Sequence, residues 1–160
     1  MASEISIEHI NPFIKSTRET FHTMLACEAV RGNVAVTSQQ PEDPRQILAM
    51  VGLSGRLRGM VSISFPEQTA LRIVERLLGM SVEGIDETVS DAISEMANII
   101  AGGAKADLSG EHDTPLELSL PTVVHGKGYE VEYPSGAVWV EIPFESELGG
   151  FVVRVTFAGQ

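Results

Sequence analysis

Asp91, Glu95 and Asn98 follow one another at intervals of four and three residues in a chain of 160. On a helix such intervals bring side chains onto one surface. Two carboxylates, which accept hydrogen bonds and pair with cations, would meet an amide, which both donates and accepts. Turned through about 100° per residue, Asp91, Glu95, Asn98, Gly102 and Lys105 fall within roughly 80° of one another. That face is acidic and amide-bearing, with no large apolar group on it. Gly102 belongs to it and Gly103 is adjacent. Each helix-interior glycine costs about 1 kcal/mol relative to alanine. Two together imply a purpose, and close approach of another backbone is a physical one. A polar stripe opposite an apolar stripe is also what any solvated amphipathic helix shows, so geometry alone leaves both readings open.

Other chemistries find less support. Cys27 is the one cysteine, and His9, His22, His112 and His125 are scattered without cysteine companions. A built-in zinc site is not expected. No serine has a histidine and aspartate arranged for nucleophilic hydrolysis. Acidic residues outnumber basic ones 22 to 11, for a formal charge of -11, which argues against nucleic acid and against an anionic membrane surface. The start, Met-Ala-Ser-Glu-Ile-Ser, has no basic region before an apolar run, so no secretory signal is expected. No stretch approaches the roughly 18 apolar residues of a membrane span. With a single cysteine and no possible intrachain disulfide, the expected location is the cytoplasm.

The elements that would position the polar face can be read from periodicity. Residues 5 to 30 form a first helix, with Ile10, Ile14, Thr17, Phe21, Met24 and Leu25 as its apolar stripe and Pro12 in or near its first turn. A strand follows from Asn33 to Ser38. Ile47 to Leu53 and Met60 to Phe65 form a hairpin about Gly55 to Gly59. Pro66 opens a short helix that Gly79 stops. Residues 80 to 87 are an acidic connector, either a soluble loop or a feature that excludes wrong partners. A long helix runs from about Thr88 to Leu108, its core stripe being Val89, Ile93, Met96, Ile100 and Ala104. Strands close the chain at Leu116 to Val124, Ala137 to Phe144 and Phe151 to Phe157. Trp139 is read as packing, and Pro121 as the mark of an edge or bulge. The expected fold is α+β in two layers: two helix-plus-three-strand units share one mainly antiparallel sheet, with long helices packed on it. A single domain over residues 1–160, with its first few residues flexible, suits this length.

These residues resemble the CheC/CheX/FliY family of chemotaxis phosphatases. That family carries Asp or Ser, three residues, Glu, two residues, Asn, then 22 residues and Pro; Asp91, Glu95, Asn98 and Pro121 have that spacing. The order of helices and strands is also similar over nearly the whole chain. The single motif resembles the CheX branch. On the first helix Lys15, Glu19 and His22 stand where a second copy would lie, with Arg45 in place of the later Pro. Glu19 and His22 are read as ordinary exposed residues, at best the vestige of a second site.

The resemblance implies a phosphatase for the aspartyl phosphate of a CheY-like response regulator, terminating chemotaxis-type signalling. The regulator would bring its own Mg2+ and lysine, and this chain would bind no cofactor. The motif helix would enter the regulator's active site. Asn98 would hold a water in line with the phosphorus, and Glu95 would pair with the regulator's lysine. Asp91 would support or steer Glu95, and Gly102 and Gly103 would let partner loops pass close. Lys105, read from its place on the same face and not from the resemblance, either contacts an acidic partner or is a solvated lysine favoured by the helix C-terminus. The resemblance also implies a homodimer joined through edge strands, and Phe151 to Phe157 is apolar enough to need cover at an edge. The alternative is a non-catalytic module of the same fold that docks a response regulator or a flagellar-switch component; a purely structural dimerisation domain is a third reading.

Overall fold

The computed structural model describes residues 7–37, 46–55, 58–109, 116–126 and 138–158. The N-terminal residues expected to be flexible, and Arg45, lie outside that set. In chain order the elements are α1 (Ile7–Leu25), β1 (Val30–Arg31), β2 (Ala35–Thr37), β3 (Gln46–Ser54), β4 (Arg58–Pro66), α2 (Glu67–Leu78), α3 (Glu87–Ser109), β5 (Glu117–Leu118), β6 (Thr122–His125), β7 (Trp139–Glu145) and β8 (Phe151–Ala158). All the pairings are antiparallel. The sheet runs β1/β2, β7, β8, β4, β3, β5/β6. Exchanging the strands of the first unit for those of the second turns this order into its own reverse. Two α-plus-three-strand units therefore meet along the central β4–β8 pair, as the element order suggests. In each unit the first strand is broken into two short pieces.

Alternation along the strands decides which face is covered. Ile47, Ala49, Val51 and Leu53 of β3, Val61, Ile63 and Phe65 of β4, Ile142 and Phe144 of β7, and Phe151, Val153 and Val155 of β8 are buried with the apolar stripes of the three helices. Residues in a strand that share a parity share a face, so the helices form one layer and the sheet the other. Phe151 anchors the junction. Its ring stacks on Phe21 of α1, Phe144 of β7 and Phe65 of β4 at centroid distances of 4.6, 5.2 and 5.2 Å. On the opposite face Arg154 donates to Ser64 Oγ at 3.1 Å and to Glu141 Oε1 at 3.2 Å.

Several expected boundaries move for local reasons. The first helix ends at Leu25, not residue 30. Ala26 takes a positive φ of 51°, and Cys27 and Ala29 then turn into the core. Pro12 lies inside α1, past its first turn, where it removes one i→i−4 bond. The strand expected at Asn33 to Ser38 is shorter, and its valines face solvent. Pro66 precedes α2 at its N-cap, and Gly79 closes it in the left-handed region (φ 69°), donating its N–H to Glu75 O at 2.9 Å.

Leu116 to Val124 is not one strand. Leu53 faces Leu118 and Met50 faces Thr122, so three steps on β3 span four on its partner. The extra residue is a bulge. It falls beside Pro121, which cannot donate to the ladder, and leaves Leu120 89% exposed. Phe151 to Phe157 is central, paired on both sides by β4 and β7. Its apolar content reflects burial within the sheet, not an edge that needs cover; the described edges are the short strands β1/β2 and β5/β6.

Candidate functional site

α3 is fixed at its start by a residue assigned above to a solvated connector. Asp86 Oδ1 accepts the backbone N–H of Val89 at 2.9 Å, and Asp86 O accepts that of Ser90 at 2.9 Å. This satisfies one of the otherwise orphaned donors of the first turn. The signal that could have found it is an aspartate three residues ahead of the first core position, followed by Glu87 in the first turn.

Val89, Ile93, Met96, Ile100 and Ala104 are all buried, as the helical period requires. Ala97, Ala101 and Leu108 widen the stripe. α1 holds the helix from the side. Ser16 Oγ donates to Ile100 O at 2.7 Å, and Lys15 pairs with Asp107 at 3.5 Å. A Cβ built on Gly103 would run into Ser16 Oγ. Gly103 is therefore small to admit α1, whereas the sequence had suggested room for a partner. A Cβ on Gly102 would meet nothing within 4 Å.

With α3 seated this way, Asp91, Glu95 and Asn98 are exposed, and Gly102 and Lys105 are half-buried along the same line. Among the described residues no hydrogen bond or ion pair engages the side chains of Asp91, Glu95, Asn98 or Lys105. About 4.5 Å of axial rise separates Glu95 from Asn98, and they lie roughly 60° apart around the axis. A carboxylate and an amide so disposed can together engage one cation and one water. Ile99, which belongs to neither stripe, is exposed at 36% beside them. Pro121 is half-buried between β5 and β6.

The equivalent face of α1 is differently disposed. Lys15 is taken up by Asp107, and His22 Nδ1 lies 3.1 Å from Glu28 Oε1. Glu19 is exposed, with no amide at the position that would match Asn98. Among the described residues no group of three or more His, Cys, Asp or Glu side chains could hold a metal ion. No helix among them is long and apolar enough to cross a membrane.

A doubled helix-and-sheet unit that presents an unpaired acid and amide on one core-anchored helix defines the class: α+β domains of the chemotaxis phosphatase type. The chain belongs to the CheX family, whose model, described as chemotaxis phosphatase CheX, matches residues 47–145. It is similar to the CheY-P phosphatase CheX of Thermotoga maritima, with 30% identity over 126 residues, 77% of this chain and 79% of that protein. Among solved structures it is similar to a CheC-like superfamily protein from Shewanella sp. PV-4, with a TM-score of 0.86 and 29% identity over 97% of this chain and 100% of that one. The fold is shared with Borrelia burgdorferi CheX, solved in a complex with CheY, BeF3 and Mg2+: TM-score 0.81, 21% identity, 96% of this chain and 100% of that one.

Proposed function

We propose that this chain is a phosphatase that hydrolyses the aspartyl phosphate of a CheY-like response regulator and so ends a chemotaxis-type signal. The observation that carries the proposal is the exposed pair Glu95 and Asn98, without a partner among the described residues, on a helix whose other side is buried in the core. Family membership and the CheY-P phosphatase activity named for the Thermotoga relative support it.

The division of labour follows from the chemistry of phosphoryl transfer. The transition state needs charge neutralisation and an in-line nucleophile. In this proposal the regulator supplies the first, with its own Mg2+ and lysine, and this chain binds no cofactor. Asn98 supplies the second. Its amide can accept from and donate to one water, and it does not titrate near neutral pH. Glu95 pairs with the regulator's lysine and fixes the register of the inserted helix, while Asp91 steers that pairing from one turn away. Gly102 lets the regulator's backbone approach, and Lys105 contacts its acidic surface. Holding water and phosphoryl group in one geometry removes much of the entropic barrier.

The active form in this proposal is a homodimer located in the cytoplasm. The short edge strand β2 leaves its outer side unpaired in the described sheet, and Val36 on it is 72% exposed, which suits continuation of the sheet into a second copy. The free, buried Cys27 fits a reducing compartment. The direct test is phosphate release from phosphorylated CheY-like regulators in Mg2+ with the chain at one-hundredth their concentration. Multiple turnovers on one of them are expected; decay at the regulators' own rate throughout would refute the proposal.

A further inference from the structure

Gly102 and Gly103 are neighbours in α3, and the chain itself explains one of them. Gly103 faces Ser16, where a Cβ would collide. Gly102 faces open space, in ordinary helical backbone, yet glycine is among the worst residues for a helix interior. Ile99 is the second misfit. It lies one turn after Glu95 and one turn before Gly102 and Gly103, and it is exposed where its neighbour Ile100 is fully buried. A β-branched residue that leaves 36% of its surface in water is only partly used by packing within the chain and restricts its own rotamers. One exposed isoleucine or one idle glycine would be unremarkable. Gly102 falls on the strip of helix that carries Glu95 and Asn98, and Ile99 flanks that strip, about 40° round the axis from Glu95.

We infer that Ile99 and Gly102 form the seat on which the phosphorylated regulator docks. Ile99 packs against an apolar side chain at the rim of the regulator's acidic pocket. The missing Cβ at Gly102 lets the backbone of a regulator loop rest directly on the helix. Neither residue touches the phosphoryl group; together they set affinity and the choice among regulators. This inference rests on Glu95 and Asn98 being the regulator-facing pair. It accounts for an apolar residue beside an otherwise polar strip, because charged contacts select partners mainly by excluding wrong ones, while buried apolar contacts slow dissociation.

The test is steady-state phosphate release against the concentration of a CheY-like regulator charged with acetyl phosphate in Mg2+. The variants are Ile99→Ala, Gly102→Ala and Gly102→Leu, with Asn98→Ala as reference. Expected for Gly102→Ala is a melting temperature raised by about 2–4 °C together with a KM raised several-fold and kcat within about twofold of wild type. Gly102→Leu raises KM further, and Ile99→Ala raises it about fivefold to tenfold, in the range of one lost buried apolar contact. An unchanged KM in all three, with Asn98→Ala inactive, overturns the seat and leaves the Glu95–Asn98 assignment standing. A lowered kcat at unchanged KM also overturns it, by placing these residues in the chemical step. An active Asn98→Ala removes the catalytic assignment itself.

Discussion

Asp91 and Glu95 are like charges one turn apart, an arrangement that costs an isolated helix a few tenths of a kcal/mol. No internal cation relieves it among the described residues. In the proposed function, the lysine of the regulator relieves that small cost on docking. Glu95→Gln keeps the shape and hydrogen-bonding capacity but removes the charge. KM is expected to rise about tenfold and to lose much of its dependence on ionic strength, both read from salt-titrated steady-state kinetics. Cys27 gives a residue-scale prediction unrelated to catalysis. Burial first, then the negative charge of Glu147, pushes its thiol pKa up, against the opposing pull of Arg76. The thiolate is the reactive form, so Cys27 should resist alkylation at pH 8 in the folded protein and react within minutes in denaturant. Equal rates in both conditions would contradict the burial.

At the scale of elements, α3 is precise because both its end and its side are held. Asp86→Ala removes the N-cap and is expected to cost about 0.5–2 kcal/mol. Gly103→Ala forces α1 and α3 apart and is expected to cost about 1–3 kcal/mol, the opposite sign from Gly102→Ala one residue earlier. Thermal or urea melts of the three variants decide this. Much of α3 was legible in the sequence, because the 3.6-residue period of Val89, Ile93, Met96, Ile100 and Ala104 leaves one choice for the buried side and therefore one for the polar side. The cap at Asp86 was masked by its acidic neighbours, which make the segment look like a solvated loop. Ile99 escaped because it sits between two stripes, where a wheel assigns nothing. Gly103 was given to a partner because the Ser16 contact is 87 residues away in sequence, a distance no local pattern spans.

At the scale of the molecule, the doubled order of helix and strands was legible, and the sheet bears it out as a reversal about β4 and β8. What sequence could not supply was strand position. An apolar run such as Phe151 to Phe157 is compatible with an edge awaiting a partner or with a centre covered by helices, and only the pairing of β8 with both β4 and β7 decides. The bulge that Pro121 marked in the sequence is there, but that it splits Leu116 to Val124 into two strands is a relation to β3 that no single run of residues shows. Of the two edges of the described sheet, the one formed by β2 carries the assembly prediction: Val36→Lys should leave the fold intact and shift the proposed dimer to a monomer in light scattering at micromolar concentration. A wild-type monomer would contradict dimerisation, and an unchanged dimer in the variant would move the interface elsewhere.

The most direct measurement of the central claim is kcat for Asn98→Ala at saturating phosphorylated regulator, with a melting curve on the same sample. An amide that places the attacking water predicts a loss of at least about 100-fold, approaching the regulator's own decay rate, with the melting temperature unchanged. Wild-type turnover from this variant would show that water is positioned by some other group.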